Sequence, residues 1–177
     1  MAAPAGAKVT MGLDPGLQHT GWGVIDVEGN SLRHVANGVI SPSPKLSMAE
    51  RLTTIFDGVC IILADHQPDA AAIEETFVNK NPDSTLKLGL ARGAGLVAAA
   101  STGLPVAEYA ARLVKKTVVG TGKADKQQIA VMIAILLPGA KVNNADAADA
   151  LAVAICHAHH AETLGPQRRL AASGVLA

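Results

Sequence analysis

Apolar and polar positions group along this chain into stretches with distinct periods. "KVTMGLD" (8–14) is an apolar run that closes on Asp14-Pro15-Gly16. Proline holds the preceding residue extended and Pro-Gly turns the chain, so a first strand ending at Asp14 is predicted. "HTGWGVIDV" (19–27) and "LRHVANGVI" (32–40) predict two more strands on either side of the turn Glu28-Gly29-Asn30. Three consecutive strands with short connections make an antiparallel meander. "SPSP" (41–44) breaks the pattern, and Ser47 is placed to cap the helix "MAERLTTIFDGVCIILADH". "DAAAIEETF" (69–77) reads as a short apolar strand ending in Glu74 and Glu75. Asp83 or Ser84 can cap a second helix reaching about Ser101. The strand "LPVAEYA" follows, then helical segments near 109–117, 126–137 and 145–163. A meander followed by strand–helix alternation predicts an α/β protein, a mixed sheet with helices packed on it. One domain over 8–163 is expected, between a disordered N-terminal tail (1–7) and a flexible C-terminal tail (164–177).

Composition sharpens this. The chain has 177 residues, enough for one domain with a substantial core. Hydrophobic residues make up 49% and aromatic ones only 2%, so the core must be built from Ala, Val, Leu and Ile. No apolar run reaches the roughly 18 residues of a membrane span, and "MAAPAGAK" lacks the apolar centre of a signal peptide. Cys60 and Cys156 show neither CxxC spacing nor a disulfide framework. A soluble cytoplasmic protein is the expectation.

The net charge is zero, which excludes a simple electrostatic sponge for nucleic acid, but its distribution is uneven. Residues 1–79 carry four Lys/Arg against nine Asp/Glu. Residues 80–126 carry Lys80, Lys87, Arg92, Arg112, Lys115, Lys116, Lys123 and Lys126 against three acids. Either this is an ordinary solvated surface, or one region grips phosphates while another holds cations.

The stretch "NNADAADALAVAI" (143–155) places Asp146 and Asp149 three residues apart in an alanine-rich apolar run. Residues i and i+3 share a helix face. If the strands ending in Asp14 and Glu74 are parallel neighbours, docking that helix face on the same sheet end gathers four carboxylates. Four unneutralised carboxylates repel, and hard divalent cations resolve the conflict. Mg²⁺ takes oxygen ligands and accepts phosphate oxygens, and two such ions suit phosphodiester hydrolysis. Asp14, Glu74, Asp146 and Asp149 are therefore read as metal ligands.

The segments "GLDPGLQHTGWGVI", "AIEETFVNKNPDSTLKLGLARG", "EYAARLVKKTVVGTGKADKQQI" and "ADAADALAVAICHAH" resemble the RuvC family of Holliday-junction resolvases, in order and spacing, from about residue 8 to 160. The resemblance implies an RNase H-like fold: a mixed five-stranded sheet, three strands antiparallel then two parallel, flanked by helices. It also implies a homodimer with two Mg²⁺ per subunit, Mn²⁺ substituting, that makes paired nicks across a four-way DNA junction and leaves 5′-phosphate and 3′-hydroxyl ends. A RuvA–RuvB-type branch-migration complex is the implied partner. By motif, Asp14, Glu74, Asp146 and Asp149 match the catalytic acids. Lys115 and Lys126 match lysines acting near the scissile phosphate, and Phe77 matches an aromatic that stacks on a base near the crossover, with Lys80 nearby. Glu75 departs from the pattern, where an amide is frequent. Lys80, Lys87, Arg92, Lys115, Lys116, Lys123 and Lys126 form the expected DNA-binding set.

Other motifs carry less. "GTGKAD" (120–125) has Ala124 where a phosphate-binding loop needs Ser or Thr, and "GAGLVA" (93–98) sits inside a predicted helix. Gly89 and Gly93 allow close helix approach, at a dimer interface or within one subunit. His157, His159 and His160 read as surface histidines, and Trp22 as core. An RNase H-type nuclease on RNA–DNA hybrids and a catalytically inactive junction-binding scaffold are the alternatives; an actin-like phosphotransferase needs two lobes, and the chain has room for one.

Overall fold

The computed structural model describes residues 8–75 and 81–161. Phe77 and Lys80, and the expected tails, lie outside the described residues.

Five strands form one sheet: β1 (Lys8–Asp14), β2 (Thr20–Glu28), β3 (Ser31–Ile40), β4 (Ala70–Glu75) and β5 (Val106–Ala110). The order is β3-β2-β1-β4-β5. β1, β2 and β3 pair antiparallel, while β4 joins β1, and β5 joins β4, in parallel. The helices are α1 (Met48–His66), α2 (Pro82–Ser101), α3 (Ala111–Val119), α4 (Lys126–Leu136) and α5 (Ala145–Ala161).

Strand alternation divides the core into two layers. Met11, Leu13, Ala71 and Ile73 pack with Val59, Ile62, Leu63 of α1 and Ala98, Ala99 of α2. On the other face Ala72 and Ile25 pack with α5 and with Val114, Val118, Ile129 and Ile133 of α3 and α4. α5 is buried along most of its length. It lies on the sheet at backbone contact because glycines leave it room. A Cβ on Gly12 would sit 2.1 Å from the Ala150 carbonyl oxygen, and one on Gly21 2.0 Å from that of Asp146. This is how a chain nearly without aromatics closes its core: small residues replace large ones and the backbones approach.

The helix ends follow local chemistry, with one difference from expectation. Ser47 caps α1 through a reciprocal pair with Glu50. α2, however, is capped by Asn81, whose side chain accepts from the Asp83 and Ser84 backbone N–H groups. With Pro82 at the first helical position, the cap falls on Asn81, two residues before Asp83.

The histidines also differ from the surface reading. Of His157, His159 and His160, only His159 is exposed. The Tyr109 hydroxyl pairs with His157 Nδ1 at 2.9 Å, and Thr117 Oγ1 with His160 Nε2 at 3.1 Å. α5 ends against α3 and β5, so its last turn is still covered. Trp22 is half-buried at the core's edge, its ring 5.9 Å from that of His66. Gly89 and Gly93 have nothing within 4 Å of a Cβ position, whereas Gly95 faces Ile73 and Leu13. Close packing of α2 on the sheet therefore uses Gly95, and Gly89 and Gly93 are left facing outward.

Candidate active site

β1 and β4 run in parallel with Leu13 beside Ile73, so Asp14 and Glu74 follow side by side at the carboxyl ends of adjacent strands. Alternation sends both toward α5: Asp14 shares a face with Gly12, and Glu74 with Ala72. Glu75 is directed to the opposite side and is exposed. Alternation alone thus selects Glu74 over its neighbour. The turn after Asp14 is held by Thr20, whose hydroxyl donates to the Gly16 carbonyl at 2.8 Å. Arg51 Nη2 donates to the Leu17 carbonyl at 3.0 Å.

Asp146 and Asp149 lie in the first turns of α5, directly over this strand end. Asn144 supports the helix start, its Oδ1 accepting from the Asp146 N–H at 2.7 Å. The Gly21 contact sets the height at which Asp146 sits.

These acids perturb one another. Burial, followed by the charges of Glu74, Asp149 and Asp146, pushes the Asp14 carboxyl up to about 8, with Lys126 opposing. Glu74 is pushed up to about 7 by burial and by Asp149, with Lys115 and Lys126 pulling down. Burial also raises Asp149, against the pull of Lys126. Lys126 Nζ stands 3.6 Å from Asp149 Oδ2 on a mostly exposed side chain. Two lysines thus share the field of the acids, Lys126 in contact and Lys115 half-buried on α3.

Oxygen donors only, held together against their own repulsion, suit a hard divalent cation. Among the described residues no three Asp, Glu, His or Cys side chains close into a finished coordination shell. An ion of the Mg²⁺ kind needs none, since it is held by one or two carboxylates, waters and substrate phosphates. The donor set fits that ion, and a cation would displace the protons that burial holds on Asp14 and Glu74.

The remaining basic residues separate. Lys116 and Lys123 are exposed. Lys87 pairs with Asp83 at 2.6 Å one turn away. Arg92 is committed internally, paired with Glu108 and donating from Nε to the Glu74 carbonyl at 3.3 Å. It braces the end of β4 against α2 and β5. Gly12, Gly21 and Asn144 were not singled out from the sequence. A pair of acids at a helix start implies some partner beneath, but which glycine faces it depends on strand pairing.

A 3-2-1-4-5 mixed sheet with acids at the ends of its central parallel pair, and on a helix laid across that end, defines the RNase H-like class. Within that class the chain belongs to the RuvC family: the sequence profile described as "Crossover junction endodeoxyribonuclease RuvC" matches residues 10–157. A crossover junction endodeoxyribonuclease RuvC of Paramagnetospirillum magneticum is 60% identical over 91% of this chain and 95% of the relative. Among solved structures, T. thermophilus RuvC in complex with a Holliday junction substrate superposes with a TM-score of 0.82 at 35% identity, covering 88% of this chain and 96% of that one. A yeast mitochondrial Holliday junction resolvase shares the fold, with a TM-score of 0.64 at 11% identity over 91% of this chain and 83% of the other. Among the described residues no helix is long and apolar enough to cross a membrane.

Proposed function

We propose that this protein is a divalent-metal-dependent endodeoxyribonuclease that resolves four-way DNA junctions in the cytoplasm. Four acids in one electrostatic field at the end of β1 and β4, in a member of this family, is the observation that carries the reading. Asp14, Glu74, Asp146 and Asp149 would hold Mg²⁺, with two ions per subunit and Mn²⁺ as a substitute. When bound, the metal supplies an activated water and charge neutralisation at the scissile phosphate. Asp14 and Glu74 give up their protons to let it in. Lys126 and Lys115 offset the acids' charge and present positive groups to the phosphate and its leaving oxygen. The products would be ends with 5′-phosphate and 3′-hydroxyl.

A junction has two equivalent cut sites, so the active form would be a homodimer. Leu86, Leu90 and Val97 of α2 are exposed, and Leu90 and Val97 lie with Gly93, Leu52 and Phe56 along a shallow groove between α1 and α2. A second copy is the natural cover. Phe77 would stack on a base at the crossover, beside Lys80, and Lys116 and Lys123 would contact phosphates. A RuvA–RuvB-type complex would present the junction.

The test is cleavage of a synthetic four-way junction, a linear duplex and an RNA–DNA hybrid in Mg²⁺ or EDTA. Junction cutting in Mg²⁺ alone, lost in Asp146→Asn with binding kept, is the expected outcome. Preferential cutting of the hybrid would replace this reading with an RNase H-type one. Binding without cutting by the wild type would leave a scaffold.

A further inference from the structure

Beside the acids, α4 and the segment 137–145 enclose a cleft of about 320 Å³. Its floor is apolar: Ala130, Ile133 and Ala134 from α4, with Val142 opposite. Its rim carries the amides of Asn143 and Asn144, and one end opens onto Lys126 and Asp149. The cleft and the acid site therefore share two residues, and whatever enters one lies next to what occupies the other.

We propose that this cleft is a nucleobase pocket, which takes the base of one nucleotide flanking the phosphate that is cut. This rests on the nuclease reading above and adds a site to it. Three observations carry it. The volume is near the lower limit of small-ligand pockets, roughly 300 Å³, which suits a single base with its sugar and excludes duplex. An apolar floor with amides at the edge matches a base, whose faces are apolar and whose edges donate and accept hydrogen bonds. Among the described residues the only cation lining it is Lys126, at the end shared with the acids, so the phosphate stays there while the neutral base goes inward.

The wall is also built in advance. Gly139 has φ of 81°, a conformation that favours glycine, and turns the chain after α4. The Ala140 N–H donates to the Leu137 carbonyl at 3.1 Å. Asn37 on β3 donates from Nδ2 to the Lys141 carbonyl at 3.1 Å, tying the segment to the sheet 104 residues away in sequence. Asn144 is fixed by its bond from the Asp146 N–H, which leaves Asn143, exposed at the rim, to read the base edge.

The experiment uses the full chain in Mg²⁺ on four-way junctions carrying one abasic residue at each position flanking the cut in turn. At one position the missing base should slow the wild type roughly 5- to 100-fold, the range a stacked base contributes. Ala134→Phe fills the cleft from an exposed helix position. It should slow cutting of the intact junction by a similar factor and lose its sensitivity to the abasic residue there. Asn143→Ala should change the relative rates for the four bases at that position and leave the abasic rate alone. If folded Ala134→Phe cuts intact junctions as fast as wild type, or abasic residues slow both proteins equally everywhere, the pocket is wrong and the nuclease reading stands. Should Ala134→Phe not fold, unchanged base preference in Asn143→Ala overturns the pocket by itself. A wild type that cuts no junction removes the nuclease reading and the pocket with it.

Discussion

Replacing Asp14 with Asn removes a carboxyl that the fold buries among three others, so metal-free protein should gain stability while losing activity. The folded carboxyl titrates at about 8 against an ordinary 3.8. A raised folded value means that protonation favours the folded state. This group's contribution is therefore fully present below the unfolded value and lost as pH rises through about 8. At about pH 8.5 the cost of the buried charge is roughly 5 kcal/mol, at about 1.4 kcal/mol per pH unit. The asparagine amide is itself desolvated, at about 1–3 kcal/mol. A net gain of about 2–4 kcal/mol remains, a rise in Tm of roughly 4–16 °C for a chain of this size. Near pH 5 the buried charge costs only about 1–2 kcal/mol and the gain should vanish. Thermal melts in EDTA at the two pH values, repeated in MgCl₂, measure this. Metal should raise the Tm of the wild type and have much less effect on Asp14→Asn. A variant that melts at or below wild type in EDTA at the higher pH would refute the buried-charge argument.

Lys126→Ala removes the cation 3.6 Å from Asp149, which opposes the upward shifts of Asp14, Glu74 and Asp149. Its pH–rate profile should move to higher pH, and an unchanged profile would show that Lys126 does not act on the acids. Gly21→Ala places a Cβ 2.0 Å from the Asp146 carbonyl oxygen, so it should cost at least about 3 kcal/mol and displace the start of α5. A denaturant melt within about 1 kcal/mol of wild type would mean that α5 is not seated on that glycine. Arg92→Ala should destabilise the end of β4 and lower activity more than it weakens junction binding, because its guanidinium is spent on Glu108 and the Glu74 carbonyl; an equal loss of affinity and a flatter salt dependence would make it a phosphate contact instead. Phe77→Ala should impair junction cutting roughly 5- to 100-fold with little change in Tm, and Phe77→Trp should recover part of it. A large fall in Tm would make Phe77 a core residue.

Much of this fold was legible in the sequence because its signals are local. The run closing on Asp14-Pro15-Gly16 gave β1 as the structure has it, and Ser47 with Glu50 gave the start of α1. The spacing of Asp146 and Asp149 put both on one helix face whatever lay opposite. Where a local signal was misread, the competing signal was local too: Pro82 moves the α2 cap to Asn81. What the chain alone could not supply depends on pairings between distant residues. The motif singles out Glu74 over Glu75, but only the parallel register of β4 on β1 turns the first toward α5 and the second to solvent. His157 and His160 read as surface until β5 and α3 cover the last turn of α5. The pairing of Arg92 with Glu108, sixteen positions on, likewise forms only when β5 folds beside α2. The proton affinities of Asp14 and Glu74 belong wholly to the tertiary structure, since a carboxyl acquires such a shift only when desolvated beside other charges. Sequence placed the acids at element ends; the glycine-lined seat of α5 brought them together.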